Sequence, residues 1–250
     1  MQKAGLGVAA VSYDSKAILK RFADAHQITY PLLSDPGSAV IRRFGILNTN
    51  IPEGNMFYGV PFPGDYLLTA DGTVKDKYFL PNYQTRPTAS GILLAEFNVV
   101  GDPASVSIGA EDVQAKISLS SAQAAPGQEL GVVVDIAIAP GWHIYGQPLP
   151  ENYVATSLTF AGDAVAQQSM VLPPAVPLEF KALGETLPVY EGSVQGKGSI
   201  LISGSVQPGT TKIRGTFRFQ ECNDSICKLP QEVPFEIPVK LEAMVPGLKN

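Results

Sequence analysis

The texture of the chain changes near residue 100, and this change restricts the available folds more than any other feature. Before it, apolar runs alternate with helical patterns. GLGVAAVSYD (5–14) reads as a buried strand, and SKAILKRFADAH (15–26) as a helix with Ile18, Leu19, Phe22 and Ala23 on one face. TYPLLSD (29–35) reads as a short strand. Asp35-Pro36 then offers an N-cap and a first-turn proline to a helix that holds Val40, Ile41 and Phe44 and closes at Gly45. DYLLTADGTVKDKYF (65–79) predicts a β-hairpin turned at Ala70-Asp71-Gly72, and a last helix is expected over 87–97. Strands alternating with helices predict an α/β layer over 1–97.

FNVVGDPASVSIGAEDV reads as a connection, so 98–112 is expected to be a linker. Beyond it the helical period disappears. VQAKISLSS, LGVVVDIAIA, SLTFAG, GSILISGSV, IRGTFRFQE and VPFEIPVKLE recur between glycine and proline turns. That spacing predicts an antiparallel β-sandwich over 113–243. The fold class is therefore α/β plus all-β, in two domains.

Charge excludes some functions. The net charge is −5 and lysines and arginines are scattered, so no nucleic-acid surface is expected. Apolar stretches such as GVVVDIAIA are too short to span a bilayer. The opening MQKAGLGVAAVSYD has no charged start, apolar run and small-residue cleavage site, so it is not read as a signal peptide.

The only two cysteines, Cys222 and Cys227, lie in FRFQECNDSICKLPQE. Ile213, Gly215, Phe217 and Phe219 alternate with polar residues, as in a half-buried strand that leads into Cys222. Asn223-Asp224-Ser225 favours a turn, which can bring the two Cα atoms within disulfide reach. Cross-linking so short a loop stabilises a fold by only about 2 kcal/mol, against nearly 5 for a loop of about 100 residues. As a switch the pair is better placed, because both sulfurs stay together after reduction. A redox pair is the leading reading. A structural hairpin disulfide is the alternative. A metal site would need about four ligands, with only His143 and a few carboxylates to join the thiols. No metal and no cofactor are expected.

Residues 113–243 resemble the N-terminal (alpha) domain of the thiol:disulfide interchange protein DsbD. PGWHIYGQP (140–148), LPVYEGSV (187–194) and the cysteine segment carry the resemblance, in family order. It implies an immunoglobulin-like sandwich. It also implies a cysteine pair that takes electrons from a membrane donor of DsbD type and passes them to thioredoxin-like proteins outside the cytoplasm. Cys222 and Cys227 match the exchanging pair, and the resemblance leans to Cys227 as attacker. Tyr190, with Glu191 beside it, stands where an aromatic cap is expected over the disulfide. Trp142, His143 and Tyr145 match the surrounding wall. On the residues alone, Trp142 serves equally well as core filling and His143 as an ordinary hydrogen-bonding group.

The first half resembles a peroxiredoxin-like (AhpC/TSA) thioredoxin-fold domain through VAAVSYDS (8–15), ITYPLLSDPGSAVIRRFGILN (28–48) and GVPFPGDYLLTADGTV (59–74). Pro63 stands in the place of the thioredoxin-fold cis-proline. In that family the catalytic cysteine opens a helix upstream of the element matching VAAVSYDS, and no cysteine occurs here before residue 222. Peroxidase activity is therefore not expected. A central strand is also missing between the elements at 5–12 and 65–69. An upstream segment, a rearranged sheet or another subunit would complete it.

The expected function is periplasmic, or otherwise extracytoplasmic, thiol–disulfide exchange through Cys222 and Cys227, an oxidoreductase role serving a thioredoxin-like or peroxiredoxin-like partner. The alternative is a binding module with a structural disulfide on a redox-inactive thioredoxin-like scaffold.

Overall fold

The structure is a computed structural model, and it describes residues 5–80, 82, 84–99, 101, 103–180 and 184–243. The chain forms two units that divide between Pro87 and Thr88.

In the first unit, β1 (Ala10–Ser12) pairs in parallel with β2 (Leu32–Ser34), and α1 (Lys16–His26) connects them. Ser15 caps α1 by accepting from Ile18 N–H, and Gln27 ends it in the left-handed conformation. Of the expected apolar face only Leu19 is buried, while Ile18 is 44% and Phe22 36% exposed. Two short strands are too narrow to cover that face. Asp35 does not cap by position as expected. Helix α2 (Ala39–Arg43) starts later, and the Asp35 carboxylate reaches forward to accept from Ile41 N–H at 2.9 Å.

The expected hairpin forms from β3 (Asp65–Leu68) and β4 (Val74–Tyr78), and a two-residue strand, β5 (Arg86–Pro87), ends the unit. β3–β4 and β1–β2 are separate two-stranded sheets.

The second unit begins earlier than composition suggests. Helix α3 (Ala89–Phe97), expected in the α/β layer, packs on β9 (Gln128–Ile138). Thr88 accepts from Gly91 N–H at 3.0 Å and donates its hydroxyl hydrogen to Glu129 O at 2.8 Å, so one side chain caps the helix and ties it to the sheet. Gly91 and Gly131 meet where helix and strand cross, and a methyl on Gly131 would stand 3.3 Å from Gly91 Cα. This cover explains the continuous apolar run in β9. Leu130, Val132, Val134, Ile136 and Ile138 point into the sandwich, while Val133, on the opposite face with Gly131, is also buried. The segment expected to be a linker contains β6 (Ala104–Gly109), paired along its length with β7 (Val113–Leu119).

A large sheet runs β12 (Val165–Val171), β15 (Ser193–Ile202), β9, β7, β6. Against it lies a sheet ordered β11 (Ser157–Ala161), β16 (Gly209–Phe219), β18 (Gln231–Leu241), β8 (Gln123–Ala124), in which the β18–β8 pair is parallel. The inward positions of both make one core, with Ile117, Val132 and Ile200 from one side and Ile213, Phe217, Phe219 and Ile237 from the other. Gly215 lies in the middle of β16 because the Phe235 ring, paired across from it, occupies the space of a side chain.

A third sheet carries the cysteines. Its order is β13 (Val176–Phe180), β14 (Glu185–Tyr190), β10 (His143–Tyr145), β17 (Glu221–Cys222).

Candidate functional site

The third sheet has two faces with different tasks. β10 pairs His143 with Cys222, Ile144 with both Glu221 and Tyr190, and Tyr145 with Val189. Directly paired residues share a face and successive residues alternate. Ile144, Tyr190 and Glu221 therefore lie on one side, and Ile144 and Tyr190 join the main sandwich core there. His143, Tyr145, Val189 and Cys222 lie on the other. Tyr145, Val189, Leu187 and Cys222 form a second buried cluster, joined by Leu149, Tyr153, Leu178 and Phe180.

Cys222 and Cys227 form a disulfide with Cα atoms 4.1 Å apart. The turn is closed by Asn223 N–H to Ile226 O at 2.9 Å and by Lys228 N–H to Glu221 O at 3.0 Å. Asn223 Oδ1 accepts from both Ser225 N–H and Ile226 N–H, which is the turn chemistry its sequence promises. The two sulfurs differ in access. Cys222 is fully buried, whereas Cys227 is exposed between the exposed side chains of Ile226 and Leu229.

Tyr145 makes the direct contact with the pair. Its hydroxyl donates to Cys222 Sγ at 3.2 Å and lies 3.6 Å from Cys227 Sγ. Burial, with smaller contributions from Tyr153 and Glu185, pushes its pKa up to about 12, so the phenol keeps its proton at neutral pH. The ring packs 5.0 Å from Tyr153 and 6.5 Å from Phe180, and Tyr153 donates to Glu185 at 2.8 Å. His143 is buried between Tyr145 and Phe180, with ring centroids at 5.6 and 5.1 Å. Its Nε2 has no hydrogen-bond partner among the described residues. Burial lowers its pKa, opposed by the charges of Glu191 and Asp224, so the imidazole is neutral at pH 7.

Two expected site residues lie elsewhere. Tyr190 does not cover the disulfide. Its register with Ile144 turns it to the core face, where its hydroxyl donates to Pro173 O at 2.7 Å. Trp142 is on that face too, packed against the core and beneath Lys228 Nζ, 4.3 Å from the ring centroid. Glu191, next to Tyr190, is exposed and acts on His143 through its charge. Pro63 is far from any thiol in sequence, and the Phe62–Pro63 bond is trans. An X–Pro bond prefers trans by about 0.5–1 kcal/mol unless its surroundings decide otherwise. Here an extended strand-like segment, with Phe62 N–H donating to Ile46 O at 2.7 Å, accommodates the preferred isomer.

Four site residues escape the sequence reading. Phe180 ends the alternation Val176, Leu178, Phe180 and places its ring on His143. Tyr153 follows Pro150 in a turn and stacks on Tyr145. Glu221 and Lys228 flank the cysteines symmetrically and are joined by an ion pair at 3.1 Å. The Lys228 ammonium is held above its ordinary pKa, first by Asp112 and then by Glu221.

Known proteins divide the chain as its texture does. Residues 1–77 match the model of the AhpC/TSA family. Peroxiredoxin Q of Arabidopsis thaliana chloroplasts is 34% identical over 86 residues, 34% of this chain and 36% of that protein, so the chain spans about a third of that relative. Among solved structures, the N-terminal periplasmic domain of ScsB from Proteus mirabilis aligns over 54% of this chain and 49% of its own, at 14% identity and a TM-score of 0.41. The reduced N-terminal domain of Neisseria meningitidis DsbD aligns over 55% of this chain and 86% of its own, at 17% identity and a TM-score of 0.31. The model of the N-terminal region of thiol:disulfide interchange protein DsbD matches residues 112–238, just over half of the 250 residues. By that match the chain belongs to the DsbD N-terminal domain family.

Proposed function

We propose that the chain exchanges its Cys222–Cys227 disulfide with dithiol proteins outside the cytoplasm. The observation that carries this reading is the asymmetry of the pair: Cys227 is exposed, Cys222 is fully buried, and the Tyr145 hydroxyl donates to the buried sulfur. A donor thiolate can reach only Cys227. Its attack forms a mixed disulfide and breaks the Cys222–Cys227 bond, and the electron pair goes to Cys222 Sγ. The Tyr145 O–H stabilises that thiolate until it takes a proton. A second donor thiol then attacks its neighbour in the mixed disulfide and frees Cys227, so two electrons and two protons have entered. In reverse, Cys227 attacks a partner disulfide and Cys222 resolves the intermediate.

Ile226 and Leu229 give the partner an apolar rim around the reactive sulfur. A thioredoxin-like or peroxiredoxin-like protein fits this requirement, and a membrane donor of DsbD type would supply electrons. The N-terminal unit, related to peroxiredoxins, has no cysteine and acts as a scaffold that carries the exchange domain. A periplasmic site suits a chain whose chemistry needs a disulfide to persist. Among the described residues, no helix is long and apolar enough to cross a membrane.

The test is incubation of the oxidised chain with a reduced thioredoxin-like protein, followed by thiol trapping. Two free thiols should appear, and Cys222→Ser, mixed instead with the oxidised thioredoxin-like protein, should form a mixed disulfide as the Cys227 thiolate attacks the partner's disulfide and releases one partner thiol. A bond that stays closed under these conditions, with a reduction potential well below about −300 mV, would make it structural.

A further inference from the structure

Glu221 and Lys228 have no part in the exchange steps, yet they adjoin the two cysteines. Cys222 and Cys227 form an antiparallel bridge, and Lys228 N–H to Glu221 O continues it by one rung. Successive residues point to opposite faces, so the sulfurs lie on one side of the stem and the ion pair on the other. Lys228 Nζ is 3.1 Å from Glu221 Oε1, 2.6 Å from Asp112 Oδ2 and 3.8 Å from Glu111 Oε2. Asp112 precedes β7 of the large sheet. Lys228 thus fastens the outgoing end of the turn both to the incoming end and to the sandwich. Glu221 is 1% exposed, and its Oε2 has no hydrogen-bond partner among the described residues. A buried carboxylate with one oxygen unmatched is a poor way to gain stability, since an apolar pair would close the stem without desolvating a charge.

We infer that the Glu221–Lys228 pair positions the exchanging thiols: it holds the two ends of the turn together while the disulfide is open and so sets how readily the bond re-forms. The inference rests on exchange through Cys222 and Cys227. With glutathione, two thiols reduce the disulfide to the dithiol and leave one glutathione disulfide, and the reverse reaction closes the ring. Closure depends on the effective concentration of one protein thiol at the other, which falls when the stem loosens. Positioning makes loss of either partner act in the same direction. Charge alone would make them act oppositely, because losing Lys228 disfavours a nearby thiolate and losing Glu221 favours it.

The test is the glutathione redox equilibrium of the full chain and of E221Q, K228M, K228R and E221Q/K228M, read by alkylation and mass spectrometry. Each of E221Q and K228M should lower the constant for disulfide formation by about five- to tenfold, a tenfold loss being a rise of about 30 mV in potential. The double variant should lose no more than either single, and K228R should restore the parent value. K228M leaves a buried carboxylate without its nearest cation. If circular dichroism shows it unfolded, E221Q and the double variant carry the comparison. Constants within twofold of the parent for all folded variants, or shifts of opposite sign for E221Q and K228M, would overturn the inference. Glutathione reads ring closure without a protein partner. Failure of the proposed function would instead show as no reduction by a thioredoxin-like protein while the glutathione shifts persist.

Discussion

Tyr145 and Tyr190 sit on neighbouring strands of one sheet and face opposite ways: Tyr145 donates to Cys222 Sγ at 3.2 Å, and Tyr190 donates to Pro173 O at 2.7 Å on the core side. The same substitution should therefore have different consequences at the two positions. Tyr145→Phe removes a hydrogen bond to a sulfur that becomes charged as it leaves, a bond of a class worth about 1.5–3 kcal/mol. Reduction by dithiothreitol in stopped flow should slow by roughly tenfold or more. Tyr190→Phe should leave that rate unchanged and lower stability by about 1 kcal/mol in denaturant titration. Equal rates for the two variants would remove the donor role from Tyr145.

His143 should make the oxidised protein acid-sensitive. Its folded pKa lies below the ordinary 6.5 because burial disfavours the imidazolium. Between the folded and unfolded pKa values, the unfolded chain binds more protons, so stability rises with pH there. Above about pH 6.5 the imidazole is neutral in both states and the penalty vanishes. Thermal melting followed from pH 7 down to pH 5 should show a steeper loss in the parent than in His143→Gln. Parallel curves would mean that His143 takes up its proton freely in the folded state.

Gly215 should not tolerate even one methyl group. A Cβ there would run into the Phe235 ring and the Thr159 carbonyl, and the carbonyl belongs to the backbone of the paired strand. Gly215→Ala should cost about 1–3 kcal/mol, the usual range for an overfilled core. Gly204→Ala is the control, since nothing lies within 4 Å of its added methyl. Differential scanning calorimetry of both variants checks the contrast. A Gly215→Ala melt equal to the parent would show that Phe235 moves aside.

The boundary at Thr88 has a measurable consequence for fragments. Residues 88–243 retain α3, its Thr88 cap and β6, whereas 113–243 lose all three. Burial of Ile92 and Leu94 contributes about 1.5–3 kcal/mol each. For a domain of this size each kcal/mol moves Tm by about 2–4 °C, so the shorter fragment should melt roughly 6 °C lower or more. Its β7 edge, without β6, should also make it more prone to self-association in sedimentation. Identical melting and sedimentation of the two fragments would return α3 and β6 to the role of connection.

Long periodic segments were legible in the sequence because their own side chains declare the buried face. The alternation through Ile213, Phe217 and Phe219 reads directly as half of a sandwich, and the turn residues after Cys222 announce the closure of the pair. The site walls were less legible. β10 and β17 have three and two residues, too few for an alternation of their own, so pairing alone decides which side chains see the sulfur. That is why the contact expected of Tyr190 is made by Tyr145, a residue expected only in the surrounding wall. Helix α3 is apolar nearly all round, and its partner is revealed only by the close approach of Gly91 to Gly131. β6 was hidden by a neighbourhood of glycine, aspartate and proline that composition assigns to a connection.

The split between the faces of the small sheet amounts to a division of labour by parity. Positions 143, 145, 189 and 222 share the face that carries the disulfide, and positions 144, 190 and 221 share the other, although each set is threaded through the other along the same strands. A mutational scan can thus tell side chains that touch the sulfur from side chains that hold its strands. A slip of one residue in β10 would exchange the two sets wholesale, so the arrangement around the disulfide depends on strand alignment as much as on residue identity.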